Sequence, residues 1–171
     1  MSDPSWVDVL GFAVAAGGFG FGVYQYREGR IEARRQFAAA AMESYRHNAQ
    51  VSAAIQMLDW ADRKVWLPPE ATAEEGGRDV KVTHQFLTAA LALIQNKPNG
   101  AFSEEEMLIR DVFDGFVDEL EHLANQERAG AFALEDIAPY MAYLADLLFG
   151  HRMHLDPGAR QALLDFILTL D

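Results

Sequence analysis

Cysteine is absent from this 171-residue chain. That excludes thiolate nucleophiles, thiolate metal sites and disulfides, and it agrees with a reducing compartment. Also missing are G-x-x-x-x-G-K, G-x-S-x-G and H-E-x-x-H, so phosphate-loop, nucleophile-elbow and zinc-protease chemistry have no footing. The GGFGFG stretch follows no strand and is no dinucleotide fingerprint. No run alternates with a β period, no segment repeats, and no tract is of low complexity. Lys and Arg are absent from residues 1–26, and no charge lies between Val9 and Tyr24.

The charge that is present is uneven. The formal net charge is −12. Residues 1–26 and 47–171 are acidic, and residues 27–46 alone are basic, with five Arg against three Glu. An acidic chain argues against broad nucleic-acid binding, which wants a basic surface. The acidity itself reads as a solvated face.

Trp6 to Tyr26 is an apolar stretch of membrane length, with Trp6, Tyr24 and Tyr26 near its ends. No positive n-region precedes it, so it does not read as a signal peptide. It predicts a transmembrane helix in a bacterial inner membrane. The basic flank then places the N-terminus outside and the rest in the cytoplasm. Arg27, Arg30, Arg34 and Arg35 are the candidate lipid-headgroup contacts. Gly11, Ala15, Gly18 and Gly22 fall on one helical face, and Gly18 to Gly22 is a G-x-x-x-G. That pattern predicts close packing of membrane helices, hence a homo-oligomer.

The expected fold class is all-α: the transmembrane helix, then a cytoplasmic bundle of about five helices. The expected division is 1–26 for outer tail and membrane helix, 27–48 for a basic juxtamembrane helix, and 49–171 for the acidic bundle. A break is expected near His47-Asn48, then a second helix from about Val51 to Trp60. Leu67 to Val80, with two Pro and two Gly, reads as a long loop. Thr83 predicts a helix cap, and Ser103 with Glu106 a capping box. Ile109, Val112, Phe113, Phe116, Val117, Leu120 and Leu123 form the clearest core stripe, with Gly130 as terminator. A helix from near Leu134 carries Pro139 in its early turns, where the missing N–H costs least. Asp156 and Pro157 open the last helix.

Three constellations touch on chemistry. Glu119 and His122 form one E-x-x-H, but di-iron bundles need two copies and further carboxylates, so a solvated helix face is the better reading. His151, His154 and Asp156 form H-x-x-H-x-D between two helices, unlike a standard zinc site. No metal or cofactor is therefore expected. Arg78 and His84 complete R-D-V-K-V-T-H, which resembles the R-x(4–6)-H motif of HEPN ribonucleases. There paired protomers join Arg and His in a metal-independent RNA-cleaving site, with His as general acid/base and Arg stabilising phosphate charge. These two are the only catalytic candidates, and a loop cation with a first-turn histidine is the competing reading.

The N-terminal anchor, the Arg-rich helix, Leu58-Asp59-Trp60 and the late pair FDGFVDELEHLA and GAFALEDIAPYMAYL together resemble small bacterial single-pass proteins. These include the membrane-anchored, HEPN-like accessory proteins of type VI CRISPR systems. That resemblance implies a HEPN-like fold, assembly as membrane rings and a role in defence. The leading functional expectation is a membrane-anchored homo-oligomer that binds a protein partner or relays a signal. A pore-forming effector in phage defence is the alternative, and a HEPN-like ribonuclease, with RNA as its partner, a second.

Overall fold

A computed structural model describes residues 6–59, 62–69, 76–97, 100–149 and 157–168, with side chains described from residue 18 onward. Among the described residues six helices and two strands follow in the order α1 (Trp6–His47), α2 (Ala49–Asp59), β1 (Asp62–Leu67), β2 (Arg78–Thr83), α3 (His84–Leu91), α4 (Glu104–Arg128), α5 (Leu134–Phe149) and α6 (Pro157–Leu168). A single 3-10 turn, Ile94–Asn96, joins α3 to the segment before α4.

Helix α1 has 42 residues, a rod of about 63 Å at 1.5 Å per residue. Among its described side chains those of the C-terminal part enter the core: Ala38, Met42 and Tyr45. It ends where Asn48 turns the chain: the Asn48 side-chain oxygen accepts from Gln50 N at 2.8 Å and Val51 N at 3.2 Å. Asn suits that position because its short amide replaces the missing helical acceptors. Ser103 and Glu106 close a reciprocal capping box on α4, and Thr83 accepts from Phe86 N to cap α3. Gly130, at φ 75°, ends α4 in the left-handed region that glycine enters without a Cβ penalty.

The core lies between α4 and the layer of α2, α3 and α6. Ile109, Val112, Phe113 and Phe116 are fully buried on α4. The rings of Phe113 and Phe116 meet edge-on, 6.1 Å apart at 78°. Leu163 and Phe166 of α6 and Leu87, Ala90 and Leu91 of α3 complete it.

Two expectations are corrected. The fold is not all-α: β1 and β2 pair antiparallel, with Val65 opposite Val80 and Leu67 opposite Arg78. Val65, Leu67, Val80 and Val82 point into the core while Lys64, Trp66, Asp79 and Lys81 face out. The expected Leu67–Val80 loop is too long at both ends: Leu67 belongs to β1, and Arg78 to Val80 belong to β2. The second correction concerns the membrane. No helix of the described residues is long and apolar enough to cross one. From Gly18 onward α1 carries Gly18, Gly20, Gly22, Gln25, Arg27 and Glu28. Glycine adds almost no apolar surface, and the run turns polar within two to three turns. The predicted transmembrane helix, the single-pass inner-membrane placement and the N-outside orientation are withdrawn with it.

Gly77, just before β2, has no room for a side chain. Its φ is +68°, and a Cβ there would stand 2.6 Å from the Leu67 carbonyl oxygen and 2.8 Å from the Trp66 ring. Gly77→Ala is expected to cost about 2 kcal/mol, from left-handed strain and backbone displacement. Urea unfolding would read this as a lower midpoint; an unchanged midpoint would mean the hairpin contributes little to the folded state.

Candidate interaction surface along the first helix

From Gly18 to Ala33 every residue of α1 is exposed. The rod leaves the domain at a defined root. Phe37 lies against Phe132, ring centroids 6.2 Å apart. Arg34 reaches the first turn of α5, with Nε 2.7 Å from Asp136 Oδ2 and Nη2 3.0 Å from Glu135 Oε1. Asp136 also accepts from Ala133 N at 2.9 Å, so one carboxylate caps α5 and holds the arm. Further along, the Arg46 guanidinium sits 5.5 Å over the Tyr140 ring.

Beyond that root the arm exposes apolar side chains on more than one face: Phe21, Tyr24 and Ile31 lie to the side and back, and one face carries a regular stripe. Phe19, Val23, Tyr26, Arg30, Ala33 and Phe37 recur at spacings of four and three, which puts them in one stripe of a helix. Phe19 is 77% exposed and Tyr26 67%. A surface helix ordinarily turns its apolar stripe toward its own core, and here Phe19, Val23 and Tyr26 face away from it. Arg30 leans over the Tyr26 ring at 6.0 Å. A groove of about 730 Å³ runs between this stripe and the turn at Gly130 and Ala131. On the far flank, Tyr24 donates to Glu28 at 2.6 Å, and that hydrogen bond raises the phenol's pKa.

The residues singled out from the sequence fare differently. Gly18 and Gly22 stand in open space, with nothing within 4 Å of where a Cβ would stand. Gly11 and Ala15 lie outside the residues whose side chains are described. Of the four arginines, Arg34 is engaged by Glu135 and Asp136, Arg30 by Tyr26, and Arg27 and Arg35 are exposed.

Arg78 opens β2 and His84 is the first residue after it, six positions on. An extended strand advances about 3.3 Å per residue, which separates them by about 20 Å. Arg78 pairs with Glu104 at 3.0 Å and Glu105 at 3.5 Å. His84 opens α3, and its Nε2 is buried without a hydrogen-bond partner. One chain therefore does not bring the pair together. Glu119 accepts from Asn48 Nδ2 at 2.9 Å, and His122 bonds Gln126 at 2.7 Å, so the E-x-x-H is spent on local contacts. Among the described residues no group of three His, Asp or Glu could hold a metal. His151, His154, Asp156 and Trp60 lie outside the described residues.

No family model, curated protein or solved structure matches this chain. The resemblance to HEPN-like accessory proteins rests on the quoted motifs alone.

What the sequence reading passed over is the stripe from Phe19 to Phe37. Its signal was available in the four-three spacing, which crosses Tyr26 without a break.

Proposed function

We propose that this protein acts by association rather than by catalysis: a helical domain that uses the outer part of α1 as an arm to form homo-oligomers and, in that state, binds a partner or relays a signal. One observation carries this reading. The arm from Gly18 to Ala33 is wholly exposed while presenting Phe19, Val23 and Tyr26 in a single stripe. Leaving such rings in water costs free energy that a second helix would recover, at about 25 cal/mol per Å² of apolar surface removed. The rest of the chain supports it indirectly. Arg34 and Arg46 fix the arm's root to α5 through Asp136 and Tyr140, and Phe37 fixes it to Phe132 in the turn before α5.

Sedimentation velocity on the full chain tests this. The wild type is expected to sediment as a dimer or larger. Val23→Glu with Tyr26→Glu is expected to sediment as a monomer with unchanged helical circular dichroism, because both positions lie outside the core. A wild type that stays monomeric at every concentration up to its solubility limit would sink the reading.

A further inference from the structure

The six stripe residues form a palindrome. Counting from either end, the spacing is four, three, four, three, four, and the midpoint falls at Glu28. Resting on the association reading above, we infer that two copies pair their arms antiparallel about that midpoint, each arm lying in the other's root groove. In this register Phe19 packs on the partner's Phe37, Val23 on the partner's Ala33, and Tyr26 beneath the partner's Arg30. The contacts are then repeated by the twofold axis, as an isologous interface requires.

Three observations favour this occupant. First, the pairs suit each other chemically: ring meets ring at the ends, the large Val23 meets the small Ala33, and a cation meets an aromatic face. Arg30 already leans over Tyr26 of its own chain at 6.0 Å, and an arginine in an apolar seam needs such a face. Second, the groove at the root has room on its far side. Its far wall is Gly130 and Ala131, two residues with little or no side chain, beside Phe37. The partner's Phe19 would enter there. Third, the exposed arm has the length for it. Gly18 to Phe37 covers about 30 Å of helix, and the full palindrome fits within it.

A parallel pair would lack these matches. It would stack Arg30 on the partner's Arg30 in the apolar seam. The antiparallel register still gathers Arg27 and Arg30 of both copies near the twofold axis, with no carboxylate in the stripe to offset them. Screening should relieve that repulsion, so association is expected to strengthen as salt rises.

The absence of cysteine from the chain makes the test direct. Three variants are oxidised and run on non-reducing gels: Val23→Cys alone, Ala33→Cys alone, and Val23→Cys with Ala33→Cys. In the antiparallel register each single cysteine is about 15 Å along the axis from its own copy, beyond disulfide reach. The double variant is therefore expected to cross-link for most of the chain, and the singles hardly at all. Efficient cross-linking of the singles, in a species that sediments as a dimer, would overturn the antiparallel register and leave the association reading standing. A monomer in sedimentation with no cross-link in any variant would overturn both. Association that weakens with salt would point instead to an acidic partner in the groove and also overturn this pairing.

Discussion

Arg110→Ala is expected to lower stability by about 4 kcal/mol, the largest effect of any surface-reaching side chain here. Its guanidinium donates to the carbonyls of Ala90 at 2.8 Å and Ala92 at 3.1 Å, at the open end of α3. The same group lies 4.3 Å from the Phe102 ring centroid and 4.8 Å from that of Phe166. One side chain thus ties α3, α4 and α6 together. Charged hydrogen bonds contribute about 1.5–3 kcal/mol each, and a partly desolvated cation over a ring about 1 kcal/mol. One donor nitrogen serves both carbonyls, so the pair counts as about one charged bond, and with the two rings the sum is about 4 kcal/mol. Arg110→Lys keeps the charge but not the flat fork that stacks and donates at once, so it is expected to recover less than half of the loss. Urea unfolding gives the comparison through midpoints at constant slope. Equal stability of wild type and Arg110→Ala would show that the two rings and the α3 carbonyls are satisfied without it.

Glu106→Ala comes next, at about 3 kcal/mol near neutral pH, the lower end for breaking a buried ion pair. Lys97 Nζ stands 2.6 Å from Glu106 Oε1, and the two side chains are 9% and 12% exposed. Glu106 Oε2 accepts from Ser103 N at 2.8 Å. Burial pushes the Glu106 carboxyl up, but the Lys97 hydrogen bond, the Ser103 contacts and the Lys97 charge together outweigh it, so its pKa is lowered. A carboxylate whose folded pKa is depressed contributes stability above its unfolded pKa. That contribution is lost as pH falls through the folded value. Wild-type stability should therefore drop across the acidic range more steeply than that of Glu106→Gln. Parallel curves would remove the pair from the acid response. Lys97 also lies 4.8 Å from the Phe102 ring that Arg110 covers. The two substitutions share a neighbour and should not add.

How much of this was legible in the sequence depends on the signal each element leaves. The long amphipathic stripe of α4, its Ser103–Glu106 box and its Gly130 stop were readable because a 25-residue helix offers many periods to count. The Asn48 break was readable from the polar run Arg46-His47-Asn48, which interrupts the apolar period. The hairpin was not. Each strand has six residues, and in β2 the inward set is Val80 and Val82 alone. Two points do not make a period, and charged residues on the outer face hid the rest. The arm failed for a different reason. Glycine and phenylalanine in one stretch suggested lipid, and the arginines from Arg27 suggested its boundary. Dividing α1 there cut the stripe of Phe19 to Phe37 in two, and neither half shows the palindrome. The Arg78–His84 motif was legible as letters only: the residues between them are the extended strand β2, whose two inward valines leave no period to read.

Because α1 passes unbroken from the exposed arm into the core, the arm has no orientation of its own. Ala38, Met42 and Tyr45 lock the azimuth of the helix at its buried end, and each residue nearer the tip turns by 100° from the last. The direction in which Phe19 faces is therefore set about 30 Å away, by methyl and ring contacts at the root. The helix works as a keyed shaft: a change in core packing that rotated Met42 would swing the whole stripe with it, and a partner gripping the stripe would apply its torque to the core.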